Sequence, residues 1–229
     1  MTVSILLYGS RARGDAHDKS DVDLLGIKTN GSITFHKEQK GVTLHEYPFL
    51  YLEEKAKSGD LFLLHIVSEA LPLSDDLNLL KSLKREYKYK KNYRREKNEA
   101  AAIYWYCKNN YEKVEEKKLR KRLIWVIRTV VIADAAEHKR PIFSSSALEK
   151  YSKNKMLKNI IDNRDEVEMS TLISSAGNLV SQYYKRIQPK NQSYESVVKW
   201  MHSKGPIASS TPAYFENQSK TDFFHDFYI

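Results

Sequence analysis

An apolar run at residues 3–7, interrupted only by Ser4, opens the chain and ends at Gly9-Ser10. A second run, 24–27, follows a polar stretch. Short apolar runs bounded by turn residues predict strands, so the opening reads as strand, glycine turn, short helix, loop, strand. Asn30-Gly31 predicts a two-residue hairpin turn, with a strand at 32–36 after it and another, opened by Gly41, at 42–47. Pro48 stops that strand and suits the first turn of a helix over 48–58, with Gly59 as its left-handed stop. Asp60 caps the next helix. Its residues 61–67 are nearly all apolar, so it is expected to be buried, and Pro72 ends it.

From Ser74 the pattern changes. Glycine and proline are absent until Pro141, which predicts one long helix over 76–111 and a second over 117–138. The second carries Leu119, Leu123, Val126, Ile127, Val130 and Val131 at helical spacing, with Trp125 extending the stripe. Further helices are predicted at 146–152, 155–163, 166–186 and 193–204. A tail from Gly205 closes on Phe223-Phe224-His225-Asp226-Phe227-Tyr228-Ile229, aromatics expected to dock on the body or on a partner. The fold class expected is α+β: a small mixed β-sheet core with flanking helices over 1–75, a mostly α-helical domain over 76–204, and an aromatic C-terminal tail over 205–229. No internal repeat is visible.

With 229 residues and 41% apolar positions, the chain has material for one or two packed domains. Its net charge of +9 favours a polyanionic partner, nucleic acid before an anionic membrane. The fifteen tyrosines can stack bases, but packing between helices is their commoner use. Cys107 is the sole cysteine, which excludes an intrachain disulfide and fits a reducing cytoplasm. No apolar run approaches the ~20 residues that span a bilayer, so a cytoplasmic protein without membrane contact is expected. Paired CxxC, HExxH, GxxxxGK[ST], GxSxG and GxGxxG are all missing, which removes the common zinc, P-loop, hydrolase and dinucleotide signatures.

The chemistry-bearing residues lie near the start. Asp21 and Asp23 are two apart at the mouth of a strand, so they face the same way. Two carboxylates so close repel unless a cation sits between them, and Mg²⁺, which keeps water and phosphate oxygens as further ligands, suits such a pair. Gly9-Ser10 lets backbone amides approach an anion, and Arg13 can add a charge-assisted contact. A phosphate cradle beside a metal pair points to phosphoryl or nucleotidyl transfer.

Gly9-Ser10-x-Ala12-Arg13-Gly14, a short polar loop and Ser20-Asp21-x-Asp23-Leu24 resemble the signature of the DNA polymerase β-type nucleotidyltransferase superfamily, and most closely its minimal bacterial and phage branch. The match covers 5–27 and a softer one runs on to about 73. The resemblance implies an enzyme that moves an NMP from an NTP, ATP among them, to an acceptor hydroxyl with release of pyrophosphate. It implies Mg²⁺ (or Mn²⁺) held by Asp21 and Asp23, with the triphosphate on Gly9, Ser10 and Arg13. It also implies a third carboxylate on a later strand. Glu46 is the candidate, a metal ligand able to take the proton of the attacking hydroxyl, although the family commonly has Asp there.

Three acceptors remain open: a nucleic-acid 3′ end such as tRNA, a hydroxyl on a protein such as a toxin partner, and a small molecule of the aminoglycoside kind. The charge favours RNA, with Lys88, Lys91, Arg94 and Arg95 on the basic face of the first long helix as acceptor contacts. The patch Lys117-Lys118 and Arg120-Lys121-Arg122 is a further candidate, and a solvated charged face is the alternative for both. His17 could touch a phosphate. Arg128 and His138 are too far apart for the Arg-His pair of the ribonuclease partners found beside some relatives. A degenerate, non-catalytic nucleotide-binding protein or antitoxin is the competing class.

Overall fold

The structure, a computed structural model, describes residues 2–16, 20–39 and 41–216, with the backbone alone for 35–39. His17 and the aromatic stretch 223–229 lie outside the described residues. The chain divides into two compact units, 1–91 and 92–229. The fold class is α+β.

The first unit is built on β1 (Thr2–Tyr8), β2 (Val22–Lys28), β3 (Thr34–Gln39), β4 (Val42–Pro48) and β5 (Leu71–Ser74), in the order β3-β4-β2-β1-β5. The expected Asn30-Gly31 hairpin is not made. β3 pairs antiparallel with β4, and β4 pairs parallel with β2, so β4 separates the two strands that the turn joins. The reason lies in burial. β4 carries Tyr47, 1% exposed, and takes the inner place beside β2, which leaves β3 at the edge.

Alternation sorts the sheet. Leu6, Tyr8, Leu25, Ile27 and Tyr47 are buried on one face, under α2 (Phe49–Lys57) and α3 (Leu61–Glu69). Tyr47 stacks on Tyr51 of α2, and Phe62 of α3 meets both Tyr8 and Tyr47. Ile5, Leu7, Leu24 and Leu44 point the other way and are only half-buried, and Leu71 beside Leu7 is 49% exposed. Asp60 caps α3 as expected, its carboxylate accepting from the amides of Phe62 and Leu63. β5 is a strand the sequence did not announce. Pro72 sits at the sheet edge, where a missing N–H costs nothing.

The long helix expected over 76–111 is instead two: α4 (Leu79–Glu86) and α5 (Arg94–Asn110), so the break falls near residue 91 and not at 75. Tertiary bonds hold the chain extended between them. The Lys88 amide donates to the Ala56 carbonyl, and the Tyr87 hydroxyl to that of Asp60. Tyr93 is fully buried and its amide donates to Glu137.

In the second unit α5 packs on α6 (Glu116–Glu137), and α9 (Met169–Tyr183) packs on both. Residues 166–168 and 184–186, expected in that last helix, lie outside it. α7 (Ser145–Ser152), capped by Ser144, α8 (Leu157–Asp162) and α10 (Tyr194–His202) match their predicted stretches closely. The apolar stripe of α6 is buried, Trp125 included. Residues 206–215 of the expected tail form α11 (Pro206–Phe215). Among the described residues no helix is long and apolar enough to cross a membrane.

Glu99 of α5 ties α11 down, one carboxylate oxygen accepting from the amides of both Ile207 and Ala208. Burial lifts its pKa from 4.5 to about 7 against the pull of those amides and of Arg95. A raised carboxyl pKa means the folded state holds its proton longer than the unfolded one, so stability falls as pH rises from about 4.5 to about 7. The drop expected is of order 3 kcal/mol. Glu99→Gln keeps the accepting oxygen and should flatten this slope. Trp105, Trp125 and Trp200 all lie in the second unit, so denaturant melts followed by tryptophan fluorescence at pH 5 and pH 7.5 read it directly. A variant with the wild-type slope would assign it elsewhere.

Candidate active site

β1 delivers Gly9 to the end of the sheet, and α1 (Ser10–Arg13) starts there. Gly9 has φ +77°, and a Cβ built on it would lie 2.7 Å from Oδ2 of Asp23. The glycine corner therefore rests directly against the second aspartate, with no room for a side chain between them. The sheet register is the cause: Tyr8 of β1 stands opposite Asp23 of β2. Tyr8 is 4% exposed, and burial first, then the Asp23 charge, pushes its phenol well above the usual value, so it stays protonated. Asp21 precedes β2 and is exposed. A Cβ on Gly41, the residue before β4, would stand 3.6 Å from Asp21 Oδ1, and the Val22 amide donates to the Gly41 carbonyl at 2.7 Å.

Glu46 does not join them, which corrects the expectation of a third carboxylate there. In the unbroken β2–β4 register Asp23 stands opposite Thr43, while Glu46 stands opposite Gly26. Paired residues share a face and successive residues alternate, so Glu46 points to the other side of the sheet, about 10 Å farther along the strand. There it reaches across Gly26 to accept a hydrogen bond from the Thr2 hydroxyl. Among the described residues no group of three or more His, Cys, Asp or Glu is placed to hold a metal ion. Among the described residues the carboxylates that Gly9 and Gly41 approach are the two aspartates, a set that fits a hard cation whose other ligands come from substrate and water. It does not supply the three-carboxylate set that the resemblance implies.

Arg13 is also committed elsewhere. Its guanidinium donates to Glu69 at 2.7 Å and to Asp15 at 3.1 Å, with the His65 ring 3.3 Å away. Burial would raise the Glu69 carboxyl, but the hydrogen bonds and charges of His65 and Arg13 outweigh it and leave the pKa below the usual value. Arg13 thus anchors α1 to α3 in place of reaching for a phosphate. The sequence missed His65, 3% exposed and edge-on to Tyr8, although it is the only polar residue within 61–67. Arg11 closes the loop by donating to the Ser20 carbonyl.

The basic residues do not form one helix face. Lys88 and Lys91 lie in the extended stretch after α4, and Arg94 and Arg95 open α5; all four are exposed. Lys97 of the same run is buried and paired with Asp134 and Glu137. The second patch is largely structural. Arg120 bonds Glu116 and the carbonyls of Arg164 and Val167, while Lys118 and Arg122 lie over the Tyr214 ring.

Comparison with family models and with curated proteins finds no match. Among solved structures, the chain is similar to a nucleotidyltransferase-like protein from Exiguobacterium sibiricum 255-15, at 14% identity and a TM-score of 0.34, over 97% of this chain and 75% of that one. The likeness is a distant one.

Proposed function

We propose that this protein is a nucleotidyltransferase that moves an NMP from an NTP to an acceptor hydroxyl. The observation that carries the reading is the contact between the Gly9 corner and the Asp23 carboxylate, with Asp21 two residues upstream. Amides at Gly9 and Ser10 would hold the triphosphate, and Asp21 and Asp23 would hold Mg²⁺ or Mn²⁺ beside it. Such an ion, when bound, neutralises phosphate charge and polarises the phosphorus under attack. The acceptor oxygen bonds to the α-phosphorus as the α–β bridging bond breaks, pyrophosphate leaves, and the hydroxyl proton passes to solvent or to a carboxylate oxygen at the site. A nucleic-acid 3′ end such as tRNA is the acceptor that the +9 charge favours. Transfer to a protein hydroxyl or to a small-molecule hydroxyl is weaker, since neither has a feature here that selects it.

One observation favours the second reading, a protein that binds a nucleotide without transferring it: Thr43, not a carboxylate, stands beside Asp23. The two part company in an assay with α-labelled NTPs, Mg²⁺ and total RNA or cell lysate. Transfer places label on a macromolecule or small molecule, and Asp21→Ala abolishes it. Label on nothing, or equal label from wild type and Asp21→Ala, would remove the enzyme reading.

A further inference from the structure

The second unit contains a cleft of about 880 Å³ at one end of its helices. Its wall brings together Arg94 and Arg95 from the start of α5, Lys185 just past α9 and Lys204 just past α10. No carboxylate lines it. Among the described residues none of these four cations is in an ion pair, which sets them apart from Lys97 and Arg120 nearby in the sequence. Four like charges in one concavity repel one another. Glu99 lies behind the wall at Gly205 and its charge acts on Arg95, but one of its oxygens is bonded to the α11 amides and it is a single carboxylate against four cations, so the cluster still favours an anion. The N-terminus of α11 is not the anion's seat, because Glu99 already accepts from its amides. The binding groups are therefore side chains.

Their chemistry narrows the ligand. Guanidinium forks match phosphate oxygens, and lysines add point charges along a backbone. Tyr184 and His202 also line the cleft and offer ring faces on which bases can stack. Four cations and two aromatic rings in one wall suit a strand of several phosphates better than one compact anion. We infer that this cleft binds the phosphodiester backbone of single-stranded nucleic acid, through Arg94, Arg95, Lys185 and Lys204. The inference deepens the acceptor half of the reading above, and rests on it only for the fate of the bound strand. Arg94 and Arg95 are legible in the sequence as part of a local basic run, whereas Lys185 and Lys204 lie roughly 90 to 110 residues farther along the chain.

The test is fluorescence anisotropy with the full chain and labelled single strands of mixed sequence, RNA in one arm and DNA in another. Unlabelled ATP and polyglutamate serve as competitors. Four phosphate contacts on a single strand predict a salt slope near −2.8, so affinity should fall about 50-fold between 50 and 200 mM salt. Arg94→Glu with Lys185→Glu should weaken binding at least tenfold. Both side chains are exposed, and an acidic residue suits the first turn of α5, so the helical circular dichroism should not change. The control Lys113→Glu with Lys150→Glu makes the same charge change at exposed positions outside the cleft and should bind nearly as wild type. Binding is measured without NTP, so failure of the transfer assay leaves this result standing. Binding of either strand with that pattern supports the assignment. An equal loss in the control, no binding at 50 mM salt, or displacement by ATP or polyglutamate as readily as by the strand itself would overturn it.

Discussion

Asp23→Asn is expected to lower nucleotidyl transfer by at least a thousandfold, whereas Glu46→Gln should leave it within about threefold of wild type. A thousandfold corresponds to about 4 kcal/mol of transition-state stabilisation, in line with losing a ligand to the charge that phosphoryl chemistry needs. Asparagine keeps the size of the side chain against Gly9 and removes only its charge, so the fold should be retained. Glu46 faces away from Asp23 and is bonded to Thr2, so its neutral isostere should matter little for chemistry. Initial rates with saturating labelled NTP measure both. If Glu46→Gln proves as damaging as Asp23→Asn, the assignment of faces from the β2–β4 register is wrong for the working enzyme. A loss below tenfold in Asp23→Asn would remove that carboxylate from the chemistry.

Gly59→Ala should destabilise the first unit by roughly 3–5 kcal/mol. The position has φ +68°, which costs a non-glycine residue about 1–2 kcal/mol. Its new Cβ would also meet the Lys88 carbonyl oxygen at 2.4 Å and the Lys90 amide at 3.0 Å, both backbone atoms that cannot rotate aside. Relief requires moving the segment that the bond from Lys88 to Ala56 and the bond from Tyr87 to Asp60 hold in place. The first unit has no tryptophan. Its unfolding should therefore appear in circular dichroism as an earlier transition while the tryptophan fluorescence midpoint stays near wild type. An unmoved circular dichroism profile would mean that residues 88–90 can leave Gly59 at little cost.

These two glycines show how the sequence could be read in one place and not in another. Gly9 was legible because it sits inside a local motif, strand to glycine to helix, with the aspartates a short loop away. Gly59 was legible as a helix stop, but its second role, admitting the backbone of 88–90, involves residues thirty positions later with no pattern of their own. The same limit split the predicted helix over 76–111. Propensity and the absence of glycine and proline favoured continuity, but burial of Tyr93 and the bonds at Tyr87 and Lys88 outweighed them. Arg13 was read as a phosphate ligand because its motif is local, while its partners Glu69 and His65 belong to a helix some fifty residues on.

The sequence by itself determined the order of most elements, the cap at Asp60, the buried stripe of α6 and the juxtaposition of the Gly9 turn with Asp23. All of these depend on side-chain period, backbone preference or contacts between segments close in the chain. Only the tertiary structure decided that β4 enters between β2 and β3, that Glu46 therefore looks away from Asp23, and that cations from three separated segments share one cleft. A strand's partner and register are fixed by which buried faces fit together across the whole unit, and a one-residue difference in register turns a side chain to the opposite face.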